Sequence, residues 1–140
     1  MAYCTVDDIK NALSERRLIE LSNDQDSSSV NTTVVEAAIK KADGVIDAYC
    51  RKRYSIPLAD PPNVINALSV ELSIYFLYSR KSEAPDDIQK RYEKAIEMLE
   101  QIAEGKLKLG LPSANSKIQM IEEYTDRVFT MEVLEDASSD

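Results

Sequence analysis

The sequence predicts an all-α domain, and three observations carry that reading. Glycine and proline are scarce, at three and five residues in 140, which disfavours turn-rich β structure. Apolar residues recur at spacings of three and four over several long segments. Several of those segments begin at Thr, Ser or Pro followed by acids, or end near Gly or basic residues, as helices do.

Taken in order, Thr5 is a good N-cap for a short helix carrying Val6, Ile9, Ala12 and Leu13. Ser14 caps a second, with Leu18, Ile19 and Leu21. The run from Ser22 to Ser29 is polar and reads as a loop. Thr33-Val34-Val35-Glu36 matches a capping box and starts a longer helix. Its apolar face is Val35, Ala38, Ile39, Ala42, Val45, Ile46, Tyr49 and Cys50. Glu36 with Lys40, and Asp47 with Arg51, are spaced to pair on its wet side.

Tyr54 to Pro62 breaks the helix, since Pro57, Pro61 and Pro62 favour extended backbone. The next helix, about 62–80, is the most apolar. It carries only a narrow polar stripe of Asn66, Ser69 and Ser73, and is expected at the centre of the core. Glu71 lies off that stripe, and a charge there needs a partner or its pKa must rise. Pro85, Asp86 and Asp87 open the last long helix, which buries Ile88, Tyr92, Ala95, Ile96, Leu99, Ile102 and Ala103 and stops at Gly105. The expected organisation is therefore two short N-terminal helices and three longer ones in a domain over 1–111. A linker and C-terminal arm follow over 112–140. The arm fits a helix through Ile118, Ile121, Tyr124, Val128 and Met131, or a strand through Phe129, Met131 and Val133, and its last residues are expected to be disordered.

Composition narrows function. The net charge of −8 opposes a phosphate-gripping surface, so sequence-specific nucleic-acid binding is not expected. The clusters Arg51-Lys52-Arg53 and Arg80-Lys81 read as helix-end cations favoured by the dipole. Cys4 and Cys50 lack metal or redox spacing and read as reduced, partly buried thiols. No apolar stretch is long enough to span a bilayer, and the N-terminus lacks signal-peptide regions, so a soluble intracellular protein is expected.

Histidine is absent, which removes the commonest general base and metal ligand. There is no nucleophile elbow or phosphate loop. The carboxylate pairs Asp7-Asp8, Asp86-Asp87 and Glu122-Glu123 read as caps or solvated acids. Asp24, Asp26 and Ser28 fall where a calcium loop places its first three ligands. Ser29 and Val35 stand where that loop needs Gly and Glu, so a solvated acidic loop is the better reading. No catalytic residue, cofactor or metal is expected.

What remains is aromatic. Tyr75, Tyr78 and Tyr92 suit a core with hydroxyls at its surface. Tyr54, Ile56 and Leu58 in the proline-rich connection, with Tyr124, Val128, Phe129, Met131 and Val133 in the arm, are candidate interaction residues. Packing against their own domain is the alternative.

Several segments also occur together in a fixed order. They are Met1-Ala2-Tyr3, the acidic loop before Thr33-Val34-Val35-Glu36-Ala37-Ala38-Ile39, Ile46-Asp47-Ala48-Tyr49 leading into Arg53-Tyr54-Ser55-Ile56-Pro57-Leu58, Arg91-Tyr92-Glu93-Lys94-Ala95-Ile96, and Leu99 through Lys106. As an ordered set over about residues 1–111 they resemble the family of small Mu-like phage and prophage proteins encoded among the head genes. The loop Asp24 to Ser29 is poorer in Asp and Gly than in that family, Ile74 and Phe76 stand where more polar residues are usual, and the arm matches least.

The resemblance implies an all-helical fold similar to head–tail connector and head-completion proteins. Those subunits form rings under the portal and lock DNA in the filled head. It also implies a homo-oligomer that meets portal or other neck proteins, with DNA only passing by. It places the chain in the host cytoplasm during assembly and then in the virion neck. A soluble adaptor that binds a partner through the C-terminal arm is the alternative function.

Overall fold

The computed structural model describes residues 2–24 and 28–112. Five helices account for the regular structure there: α1 (Val6–Ala12), α2 (Glu15–Ser22), α3 (Thr32–Cys50), α4 (Asn63–Ser79) and α5 (Asp86–Glu104). No strand occurs among the described residues, so the fold is all-α as expected. The C-terminal arm, with Tyr124, Val128, Phe129, Met131 and Val133, lies outside the described residues.

The caps explain the boundaries. Thr5 and Asp8 form a full capping box at α1, and the Ser14 hydroxyl accepts from the Arg17 N–H at α2. The α3 start is a correction. Its N-cap is Asn31, whose side-chain oxygen accepts the Val34 N–H at 3.4 Å, so Thr33 already lies inside the first turn. The physical reason is tertiary. Ser22, fully buried, holds the Asn31 N–H at 3.0 Å and fixes where the chain enters α3. Gly105 ends α5 with φ +81°, a left-handed cap.

Helix α4 contacts each of the other four helices, the central position its composition predicts. Two apolar clusters form around it. One joins Ile65, Leu68 and Leu72 of α4 to the end of α3 and the later half of α5. The other joins Val70, Ile74 and Leu77 of α4 to α1, α2 and the start of α3. The polar groups at the rim are also used. Glu71 finds Arg91 at 2.7 Å.

The basic clusters sit at helix C-termini, but at those of neighbouring helices. Arg80 donates to Leu21 O at 2.8 Å and Lys81 to Asn23 O at 2.9 Å, closing the end of α2. Arg53 donates to Ala103 O at 3.1 Å and Glu104 O at 2.8 Å, closing α5. These carbonyls lack intrahelical donors, and cations there also meet the negative end of the helix dipole. The expected pairs Glu36–Lys40 and Asp47–Arg51 do not form among the described residues. No helix there is long and apolar enough to cross a membrane.

Candidate functional site

The densest polar chemistry lies where the N-terminal segment crosses α3 and α4. Tyr3 and Cys4 are both buried. The Tyr3 N–H donates to Asp43 Oδ2 at 3.0 Å, and its carbonyl accepts from Asn66 Nδ2 at 3.0 Å. The Tyr3 hydroxyl donates to Asp47 Oδ1 and accepts the Leu58 N–H at 2.9 Å. Asn66 also reaches Asp8 Oδ2 at 3.0 Å, linking the segment to the α1 capping box.

Ser69 lies 2.7 Å from Asp43 Oδ1 and 3.1 Å from Cys4 Sγ. A hydroxyl has one proton to give, and the carboxylate is the stronger acceptor, so Ser69 donates to Asp43 and the Cys4 thiol donates to Ser69. The polar stripe Asn66, Ser69 and Ser73 on α4 thus faces inward, with both serines fully buried. Every buried side-chain nitrogen and oxygen among the described residues has a partner.

Electrostatics suit anchoring rather than reactivity. Burial pushes the Asp43 carboxyl above the usual carboxylate range despite its hydrogen bonds from Ser69 and Tyr3. Burial also raises the Cys4 thiol, and raises Cys50 to about 11. Both stay as poorly nucleophilic thiols at neutral pH. Asp8 moves the other way, lowered by the Thr5 N–H and then by Asn66. Among the described residues no group of three or more His, Cys, Asp or Glu is placed to hold a metal. Asp24, the first position of the calcium-like loop, instead pairs with Arg80 at 2.8 Å and Lys81 at 3.0 Å.

Beside this anchor a groove of about 650 Å³ runs between residues 2–6 and α3, lined by Glu36, Lys40, Asp43, Gly44 and Asp47 on the helix side. A second surface feature is aromatic. Tyr75 and Tyr92 stack with centroids 3.8 Å apart, Phe76 meets Tyr92 edge-on at 6.1 Å, and Lys41 Nζ sits 4.5 Å over Phe76. All three rings are half-buried, which for Tyr75 and Tyr92 suits tyrosines that keep hydroxyls near water.

The sequence-derived interaction residues fare unequally. Tyr54 and Leu58, at 6% and 1% exposure, belong to the core, and the Tyr54 hydroxyl accepts the Leu109 N–H at 3.1 Å. Neither side chain stands out as an exposed anchor. Ile56 is half-buried and also leans on that core. The remaining candidates, Tyr124, Val128, Phe129, Met131 and Val133, lie outside the described residues. Tyr3 and Asp43 were missed by sequence reasoning. Asp43 did leave a signal, since an acid stands on the buried face of α3 between Ile39 and Ile46.

Among the described residues the chain is an all-α body of five helices. The sequence supplies its class: residues 3–127 match the family described as Bacteriophage Mu, Gp36. The chain belongs to that family of Mu-like phage proteins. It is similar to the Mu-like prophage FluMu protein gp36 of Haemophilus influenzae, 31% identical over 94 residues. That match covers 67% of this chain and 65% of the relative, just under two thirds of its length. It is also similar to Gene product J of Escherichia phage Mu, 26% identical over 114 residues, 81% of this chain and 79% of the relative.

Proposed function

We propose that the chain is a structural subunit of the phage particle, a head–tail connector or head-completion protein acting by protein–protein assembly at the portal and neck. The observation that carries this reading is the family match over residues 3–127. The geometry is compatible with it. A subunit that must hold its shape in a ring gains from an N-terminal segment pinned by Asp43, Asp47 and Asn66. The half-buried rings of Tyr75, Phe76 and Tyr92 give its surface aromatic area of the kind that anchors interfaces. The charge of −8 suits a wall that DNA passes without adhering. The reading assigns no catalysis, cofactor or metal to the chain.

Electron microscopy of the purified chain, alone and with portal, tests the proposal. Rings, or collars that form only on portal, are expected, and the chain should be detected in purified virions. A one-to-one complex with a non-virion protein, together with absence from virions, would replace it with the adaptor reading.

A further inference from the structure

The outward face of α3 carries a charge pattern that is its own complement. Glu36, Lys40, Gly44, Asp47 and Arg51 follow at spacings of four, four, three and four. At 3.6 residues per turn they fall within about 80° of the helix circumference, and Glu36 stands about 22 Å from Arg51 along the axis. Glu36, Lys40, Gly44 and Arg51 are exposed and Asp47 is half-buried. No ion pair within the chain uses these charges among the described residues. Asp47 gives Oδ1 to Tyr3, which leaves Oδ2 to accept from outside.

Read backwards, the series runs plus, minus, Gly, plus, minus. Laid antiparallel on a second copy about a centre between residues 43 and 44, Glu36 meets Arg51 and Lys40 meets Asp47. Two-fold symmetry makes each pair twice. The centre is also the thinnest point of the face. A Cβ built on Gly44 meets nothing within 4 Å, so two helices can approach toward the short end of the usual 8–10 Å interaxial range. The groove between this face and residues 2–6 gives the incoming side chains space.

We infer that this α3 face docks a second copy of the same chain in an antiparallel, isologous dimer. The contact is separate from the head–tail reading. An isologous contact closes on two copies, whereas a ring is built from heterologous ones.

Light scattering with size exclusion and sedimentation equilibrium on the full chain test it. A concentration-dependent mass of two chains is expected, weakening as salt rises. Arg51→Glu and Glu36→Arg should each weaken association about tenfold or more, because each places like charges together twice. The double variant Glu36→Arg with Arg51→Glu should return it to about the wild-type strength, which only direct pairing of these two positions explains. Gly44→Leu should abolish the dimer while circular dichroism shows the helices intact. A monomer up to the highest soluble concentration would overturn the inference, as would a double variant no better than the single ones. Portal-dependent rings without an antiparallel dimer would sink this inference and leave the head–tail reading standing. A dimer without any portal or virion association would do the reverse.

Discussion

The Tyr3 hydroxyl accepts the Leu58 N–H at 2.9 Å while donating its own proton to Asp47. One side chain near the N-terminus, 55 residues before Leu58, therefore ties the α3–α4 connection to α3. Tyr3→Phe keeps the ring and removes both bonds. A buried N–H left unpaired costs about 1–3 kcal/mol, so urea unfolding should show a loss in that range with an unchanged m-value. Tyr3→Ala, which also empties the ring's site, should cost more, about 3–5 kcal/mol.

Asp43 and Asp8 belong to the same network and should titrate in opposite directions. Burial raises Asp43 above its ordinary 3.8. The folded state then binds that proton more tightly than the unfolded chain does. The resulting stability is fully present below 3.8 and is lost as pH rises through the folded value. Asp8 is lowered by the Thr5 N–H and Asn66. Its contribution is present above 3.8 and is lost as pH falls through the folded value. Carboxyl-carbon NMR should place the Asp43 midpoint above 3.8 and the Asp8 midpoint below it. The stability gap between wild type and Asp8→Asn should close on acidification.

Much of this fold was legible locally, and the misses share a cause. Thr5, Ser14 and Gly105 end or begin helices through contacts within a few residues, and the sequence places them correctly. The apolar wrap of α4 likewise marks its central position. The α3 start was misplaced because Ser22, nine residues before Asn31, holds the Asn31 N–H. The Asp47–Arg51 pair does not form, and Asp47 instead accepts a hydrogen bond from the Tyr3 hydroxyl, 44 residues away. Tyr54 and Leu58 lie in a proline-broken segment, and proline dictates backbone extension without dictating exposure. That segment lies along the core instead of leaving it. The inward polar stripe of α4 was visible as a stripe, but its partners come from the N-terminal segment and α3, which no periodicity within α4 reveals.

Arg80 separates a carbonyl cap from an ion pair. Its guanidinium reaches both Leu21 O and the exposed Asp24 carboxylate, each at 2.8 Å. The carbonyl bond closes the end of α2, whereas the Asp24 pair is open to water and screened. Arg80→Ala should destabilise the domain by about 0.5–1.5 kcal/mol and speed amide exchange in the last turn of α2. Asp24→Ala should leave that exchange nearly unchanged. Equal effects from the two variants would assign the role to the ion pair.

Two glycines should respond to the same substitution with opposite signs. Gly44 lies inside α3 with open space where a Cβ would go. At concentrations low enough to keep the chain monomeric, Gly44→Ala should stabilise it by about 0.5–1 kcal/mol, through a smaller loss of backbone freedom on folding. Gly105 holds φ +81° and has the Arg53 guanidinium packed where its Cβ would go. Gly105→Ala therefore forces a side chain into the left-handed region, at about 1–2 kcal/mol. It also displaces Arg53 from the Ala103 and Glu104 carbonyls that it caps. Thermal melts of the two variants should move in opposite directions, with the larger shift downward. Combining Gly105→Ala with Arg53→Ala tests the mechanism. If the clash matters, the double variant should lose less than the sum of the two single losses, since the second substitution removes the group that the first one displaces.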